Sequence, residues 1–343
     1  MRSITVAGKR TVTDAPFPTP PKPFGYVCTD GGNGAYEAFP DVCRLADGRL
    51  LCVFYDGWTH VSLPNGEHPN GGRISGCFSS DEGRSWSKPF VVVDTPLDDR
   101  DPSVVQLPDG RILCSYFTYE AVEGKSAQCA TLISESTDGG QTWSEPHTIY
   151  PGVPCSSPIR ILSDGRLILP TYIENDSEHS GSLGISDDGG KTWSETIIIP
   201  NGGMRLDAET DLIERKDGSL YALQREKMAY SVSTDRGETW SESKDVGFVG
   251  HCPYFLRTKD DVILVAFRLP QTSLRFSRDE CQTWSDNVLV DEVGGAYPSM
   301  VECSDGSILI VYYEEGAGSN IRFKRFRVTD HGVEWIPVDT EQQ

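Results

Sequence analysis

An eight-residue phrase, Ser-x-Asp-x-Gly-x-Thr/Ser-Trp, recurs five times in this chain at intervals of 44 to 57 residues. The copies are Ser79–Trp86, Ser136–Trp143, Ser186–Trp193, Ser233–Trp240 and Ser277–Trp284; the last carries Cys281 where the others have glycine. A worn sixth copy is expected at Val328–Trp335, with Asp330, Gly332 and Trp335 in register. A fixed phrase at such a period means an array of similar supersecondary units. Each part has a physical task. The Asp carboxylate accepts bonds from backbone N–H groups just downstream and closes a turn. The glycine supplies a positive φ. The tryptophan is a large apolar body that wedges between neighbouring units.

A second periodicity alternates with the first. Asp-Gly turns lie between apolar runs at Asp47-Gly48, Asp109-Gly110, Asp164-Gly165, Asp217-Gly218 and Asp305-Gly306, with Asp260-Asp261 in the remaining slot. Asp-Gly between strand-like runs signals a hairpin. The flanks, RLLCVFY, RILCSYF, RLILPTY, SLYALQR, VILVAFR and SILIVYY, are rich in β-branched and aromatic residues. Each unit therefore holds two hairpins, or four strands. Six such units predict an all-β chain folded as a six-bladed β-propeller of four-stranded antiparallel blades. A sandwich or a solenoid accommodates the four-strand unit less well.

The expected domain is single and spans 1–343. Residues 1–14 are expected to form a strand and turn that help close the ring, and the Pro-rich Ala15–Tyr26 an extended crossing. A formal charge of −20 argues against a nucleic acid partner, because phosphate binding needs a basic surface. No apolar run is long enough for a membrane span. The opening MRSITVAGKR lacks an apolar signal core, which favours a cytoplasmic protein; a mature form without its leader is the alternative. The ten cysteines are scattered without ligand spacing. Neither a metal site, a disulfide framework nor a cofactor is expected, and Cys52, Cys77 and Cys114 fall in strand-like runs as small hydrophobes.

The hairpins also locate a functional face. Residues equidistant from each Asp-Gly turn should face one another at the open end of the hairpin. This pairs Glu209 with Arg225, Cys252 with Arg268 (His251 adjacent), Tyr297 with Tyr313 (Glu314 adjacent), Asp101 with Phe117 (Arg100 adjacent), and Ala38 with Asp56 (Glu37 adjacent). The face opposite the turns thus gathers Glu37, Asp56, Arg100, Asp101, Glu209, Arg225, His251, Arg268, Tyr297 and Glu314, together with loops 57–72, 118–128, 174–182 and 200–208. Convergent charges at a propeller mouth suit a small polar ligand. Two arginines can grip an anion, and Tyr297 near Glu209 makes a nucleophile and its base. The alternative for these charges is a set of salt bridges between blades.

The Asp box and the blade count resemble the sialidase (neuraminidase) superfamily over roughly residues 27–335. The stretch DAETDLIERKDGSLYALQR is similar to the sialidase segment in which a Glu precedes, and an Arg follows, an Asp-Gly turn; Glu209 and Arg225 hold those places. GGAYPSMVECSDGSILIVYYEE resembles the segment of the tyrosine nucleophile, with Tyr297 at its position and Glu314 at that of a Glu that steadies an arginine. Arg268 looks like a further arginine of the carboxylate-binding triad. The resemblance implies a retaining exo-glycosidase with a Tyr nucleophile. A neutral phenol avoids the repulsion that a carboxylate nucleophile would meet at an anomeric centre bearing a carboxylate, and a neighbouring Glu takes its proton.

The chain also departs from that pattern. Ala38-Phe39-Pro40 stands where the family has Arg-Ile-Pro, and no Asp precedes the first Asp box at the place of the acid/base. Asp101, His60, His68 and Glu67 are the candidate substitutes for that acid, Asp101 being favoured by the hairpin pairing. Glu37 and Asp56 place negative charge at the first blade, which suits hydroxyls or an amine. The readings are a sialidase-like hydrolase acting on a terminal acidic sugar, with Glu37, Asp56, His60, Arg100, Arg225, His251, Arg268 and Glu314 around the sugar; a glycosidase of the same superfamily on a non-sialic sugar using a carboxylate pair such as Asp101 and Glu209; and a non-catalytic carbohydrate-binding propeller. All three take a carbohydrate or glycoconjugate as partner.

Overall fold

A computed structural model describes residues 24–338 apart from 123–124, 156, 175–177, 207–208, 226, 270 and 317. Most of the expected N-terminal segment, residues 1–23, lies outside the described residues. The described chain forms six antiparallel sheets, five of four strands and one of five, each wound from the centre outward, as a six-bladed propeller requires. The inner strands of blades 1 to 6 are Tyr36–Arg44, Asp98–Gln106, Arg160–Ile161, Thr210–Glu214, His251–Arg257 and Gly295–Glu302. Those of blades 6, 1 and 2, and those of blades 4, 5 and 6, pack against one another.

The Asp boxes do what their composition dictates. In the first, the Asp81 carboxylate accepts the backbone N–H groups of Arg84 (3.1 Å) and Ser85 (2.9 Å) and the Ser85 hydroxyl (2.6 Å). The Gly83 N–H donates to Ser79 Oγ at 2.8 Å. Asp138, Asp188, Asp235 and Asp279 each accept a downstream N–H and hydroxyl in the same way. Each box packs on the preceding blade. A Cβ at Gly140 would meet the Phe78 ring at 2.9 Å, and one at Gly83 would meet Leu309 of blade 6 at 2.7 Å, so glycine is needed for close approach as well as for positive φ. Cys281 adopts φ 66° at that position and keeps the bond to Ser277 Oγ.

The worn sixth copy is not an Asp box. Val328–Thr329 pairs with Gly332–Val333 as a tight hairpin, and the Asp330 side chain is 94% exposed. Val328 replaces the serine and Glu334 the Thr/Ser that would hold the Asp, so the turn closes through Thr329, which accepts His331 N–H at 3.3 Å, rather than on the Asp330 carboxylate.

Each Asp-Gly turn places its glycine at φ between 76° and 94° (Gly48, Gly110, Gly165, Gly218, Gly306). In blades 1 to 3 the arginine after the turn reaches across to the next blade's box: Arg49 donates to the Gly139 carbonyl (2.9 Å), Arg111 to that of Gly189 (2.7 Å) and Arg166 to that of Arg236 (3.2 Å). Turns and boxes therefore share one face, and the open hairpin ends share the other. Deeper in, buried carboxylates stitch the inner strands. Asp41 accepts Val104 N–H of blade 2 (2.7 Å) and Ser299 Oγ–H of blade 6 (2.6 Å). Asp211 accepts Phe255 N–H of blade 5 (2.7 Å) and the Arg160 guanidinium of blade 3.

The ring closes in blade 6. Gly25–Cys28 pairs with one end of Ile321–Thr329, and Gly332–Ile336 pairs with the other. Residues 118–128 do not form a separate loop: Ile112–Val122 and Lys125–Ser136 run on as one long hairpin.

Candidate functional site

Four inner strands carry the same defect near the mouth. Between Ala38 and Asp41, Arg100 and Ser103, His251 and Tyr254, and Ala296 and Ser299, three residues advance on the inner strand while two advance on its neighbour. This is a β-bulge, which bends the strand and re-aims a side chain. The bulged residues Phe39, Asp101, Cys252 and Tyr297 have φ of 51°, 48°, 54° and 36°. Such conformations cost on the order of 1–3 kcal/mol each and cluster at working sites. A proline follows each of them; it has no N–H and so removes a donor the interrupted ladder could not use. The four dipeptides line a narrow cavity on the propeller axis, with Pro158 from blade 3. The sequence carries the signal: Pro40, Pro102, Pro253 and Pro298 all lie seven residues before the Asp of the following turn.

The bulges shift the hairpin pairing by one residue in those blades. The residue opposite Arg268 is His251 rather than Cys252, opposite Tyr313 is Ala296 rather than Tyr297, opposite Phe117 is Arg100 rather than Asp101, and opposite Asp56 is Glu37 rather than Ala38. Blade 4 has no proline and no bulge there. Arg225 N–H meets the Glu209 carbonyl at 2.9 Å, the expected register.

Tyr297, Glu209, Arg225 and Arg268 come together. The Tyr297 phenol donates to Glu209 Oε1, and Arg225 Nη1 donates to the same oxygen at 2.5 Å. Glu209 is 5% exposed, and its Oε2 is buried without a partner among the described residues. The Arg268 guanidinium lies 5.4 Å from the centre of the Tyr297 ring and has no carboxylate within ion-pair distance among the described residues. Burial, then the nearby Cys252 and Glu209, push the Tyr297 phenol well above its ordinary range. It is therefore neutral at rest, with a carboxylate on its proton.

Asp101 sits on the floor beside this group, 6% exposed. Desolvation pushes its carboxyl up to about 6, opposed by Arg100 and reinforced by Glu209. Arg100 is enclosed. Its guanidinium lies 5.0 to 5.3 Å from the ring centres of Phe39, Tyr55 and Tyr119, meets Asp98 at 3.4 Å and Asp101 at 3.8 Å, and donates to the His60 carbonyl. It organises the wall of the mouth and is not presented to a ligand.

Three expected ligand contacts are turned elsewhere. Asp56 is fully buried and occupied by Arg73 (2.9 Å), Ser75 (2.8 Å) and the Asn33 N–H (3.1 Å). Glu37 accepts Gly31 N–H at 2.8 Å in the same buried corner, and desolvation pushes it up to about 7. Glu314 pairs with Arg322. Its neighbour Glu315 faces the mouth, accepting the Tyr36 phenol at 2.8 Å and the Tyr313 phenol at 2.7 Å. His60 stands beside it, with Nδ1 2.8 Å from Tyr36 Oη and its ring edge-on to Phe39 at 5.4 Å. Glu67 and His68 stay on an exposed turn, His68 stacked on Trp58 at 4.1 Å. Phe39, Tyr36 and Glu315 are the mouth residues that sequence reasoning missed.

A family model described as a BNR repeat-like domain matches residues 66–310. A sialidase of Bacteroides fragilis is 26% identical over 231 residues, which cover 58% of this chain and 42% of that protein. A sialidase of Micromonospora viridifaciens is 25% identical, covering 96% of this chain and 58% of that protein. The chain thus spans about half the length of the curated relatives it matches. Among solved structures, a sialidase of Streptococcus pneumoniae superposes with a TM-score of 0.71 at 15% identity, covering 90% of this chain and 71% of that one. A protein of unknown function from Dyadobacter fermentans gives 0.70 at 21% identity, covering 84% and 94%. At these identities the structural likeness speaks to the fold.

Proposed function

This chain belongs to the BNR repeat-like domain family, and we propose that it is a glycoside hydrolase of the sialidase superfamily that removes a terminal acidic sugar with retention. One observation carries the reading: the Tyr297 phenol shares the Glu209 carboxylate with Arg225, under the Arg268 guanidinium. Tyr297 attacks the anomeric carbon while Glu209 takes its proton, which makes a buried neutral phenol competent near neutral pH. Arg225 and Arg268 hold an anionic group on the sugar and orient the reacting carbon. The strained bulge at Tyr297 fixes the nucleophile by backbone, so little reorganisation is needed when substrate arrives.

A second reading, a non-sialic sugar on the same scaffold, draws on blade 1. There Ala38, fully buried, stands where the resembled segment carries an arginine, and Phe39 packs 4.9 Å from the Tyr297 ring. Hydrolysis of a panel of aryl glycosides, the α-sialoside beside other acidic and neutral sugars, tests both. Turnover with a fluorinated sugar trapped on the peptide containing Tyr297 supports the first mechanism on whichever sugar reacts. Turnover without a Tyr297 adduct rejects the nucleophile, and binding without turnover on any sugar leaves a lectin.

A further inference from the structure

We propose that His60 is the residue that protonates the departing group and then activates water, positioned by Tyr36 and Glu315. The assignment rests on the glycosidase reading above. It starts from a count of protons. Glu315 accepts the Tyr36 phenol on Oε1 (2.8 Å) and the Tyr313 phenol on Oε2 (2.7 Å). The His60 imidazole, its Nδ1 3.8 Å away, and the bonds from both phenols hold its carboxyl down at about 2, so it is ionised. Tyr36 has one proton and gives it to Glu315. The 2.8 Å contact between Tyr36 Oη and His60 Nδ1 then requires Nδ1 to be the donor. The tautomer is thereby set, and Nε2 is left as the nitrogen that loses and gains a proton.

Position and access agree. The His60 side chain is 54% exposed, and its ring leans edge-on against Phe39, which in turn packs 4.9 Å from the Tyr297 ring. The imidazole therefore stands one aromatic ring, that of Phe39, away from the nucleophile. Asp101 is 6% exposed and lines the axial cavity with Phe39 and Tyr297, whereas His60 is open to solvent. In the first step Tyr297 Oη bonds to the anomeric carbon and yields its proton to Glu209. The glycosidic C–O bond breaks, and the leaving oxygen takes the Nε2 proton of the imidazolium. In the second step water attacks the same carbon and gives its proton to Nε2. The bond to Tyr297 breaks, and the phenolate recovers its proton from Glu209.

The test compares an activated nitrophenyl glycoside with an alkyl glycoside of the same sugar, in wild type and in His60→Ala, Tyr36→Phe and Asp101→Asn. A positioned acid contributes about 10²–10⁴-fold, and a good leaving group does without it. We expect His60→Ala to lose about that factor on the alkyl glycoside and little in the first step on the nitrophenyl one, with azide restoring turnover as the glycosyl azide. Tyr36→Phe should show the same split, weaker, because the imidazole remains but its tautomer is no longer set. Equal losses on both substrates in His60→Ala, or the split appearing in Asp101→Asn instead, overturn the assignment while leaving the glycosidase reading intact. A wild type inactive on every sugar rejects both.

Discussion

Replacing Tyr297 by phenylalanine separates chemistry from structure at this site. The substitution removes one oxygen. The ring contacts persist: Phe39 at 4.9 Å, Tyr313 at 6.1 Å and the Arg268 guanidinium at 5.4 Å. Glu209 loses one of its two donors and keeps Arg225 at 2.5 Å. A hydrogen bond to a charged acceptor contributes about 1.5–3 kcal/mol. Part of that is offset because a buried polar hydroxyl goes with it, so the net cost is about 1–2 kcal/mol. For a chain this long, such a change lowers Tm by only about 1–3 °C. Catalysis should fall far more. Without an attacking atom the covalent route is closed, and a loss of at least ~10³-fold, roughly 4 kcal/mol of barrier, is expected. The assay pairs kcat/KM on the sugar that the wild type hydrolyses with calorimetry on the same preparation. Activity within tenfold of wild type at an unchanged Tm would refute the nucleophile. A Tm lowered by more than about 10 °C would mean that the hydroxyl is structural and that any lost activity says nothing about attack.

Three further outcomes are expected. Arg268→Ala should weaken binding of a carboxylated sugar by about 10–100-fold with little change for its neutral analogue, measured by calorimetry; equal losses would remove the anion grip, and Arg225→Ala should add a stability loss because it unpairs Glu209. Asp211→Asn should cost about 3–5 kcal/mol in denaturant unfolding, since an amide cannot accept from Arg160, Phe255 N–H and Leu212 N–H together; a change under 1 kcal/mol would show that the stitch between blades 3, 4 and 5 is not needed. Glu37 is raised from 4.5 to about 7, and Asp99 to about 7 and Asp41 to about 6 by the same desolvation. The folded state therefore holds protons that the unfolded chain has released, and stability should fall as pH rises from about 4.5 to 7. Glu37→Gln, which keeps an acceptor for Gly31, should flatten part of that fall, and a Tm gap between variant and wild type that is the same at pH 5 and pH 8 would reject the account.

The periodic parts of the molecule were legible because they are local. An Asp box closes on its own backbone within eight residues, and an Asp-Gly turn pairs its own flanks, so blade number and the face that carries the open hairpin ends followed from spacing. Glu209 and Arg225 came out opposite one another because blade 4 has an unbroken ladder. The four bulged blades misled by a single residue each. A bulge changes register without changing hydrophobic pattern, and its signature, a proline seven residues before the turn, was in plain view but carried no weight in counting outward from the turn. Asp56 and Glu37 were placed at the first blade's open end correctly, but their partners, Arg73, Asn33 and Gly31, come from a loop and a neighbouring strand that no hairpin symmetry points to. The trio of Tyr36, His60 and Glu315 joins residues from the first and last blades, a meeting that only ring closure creates.

That closure imposes an order in time. Gly25–Cys28 leaves the ribosome early and cannot pair until Ile321–Thr329 has emerged. Tyr297, and Glu315 beneath His60, arrive with the same final blade. Domains fold during synthesis from the N-terminal end, and non-local pairings form slowly. The growing chain therefore carries Glu209 and Arg225 for a long interval without Tyr297 beside them. The cluster of Tyr297, Glu209 and Arg225 is completed in a single late event, when the last blade is clasped by the first strand.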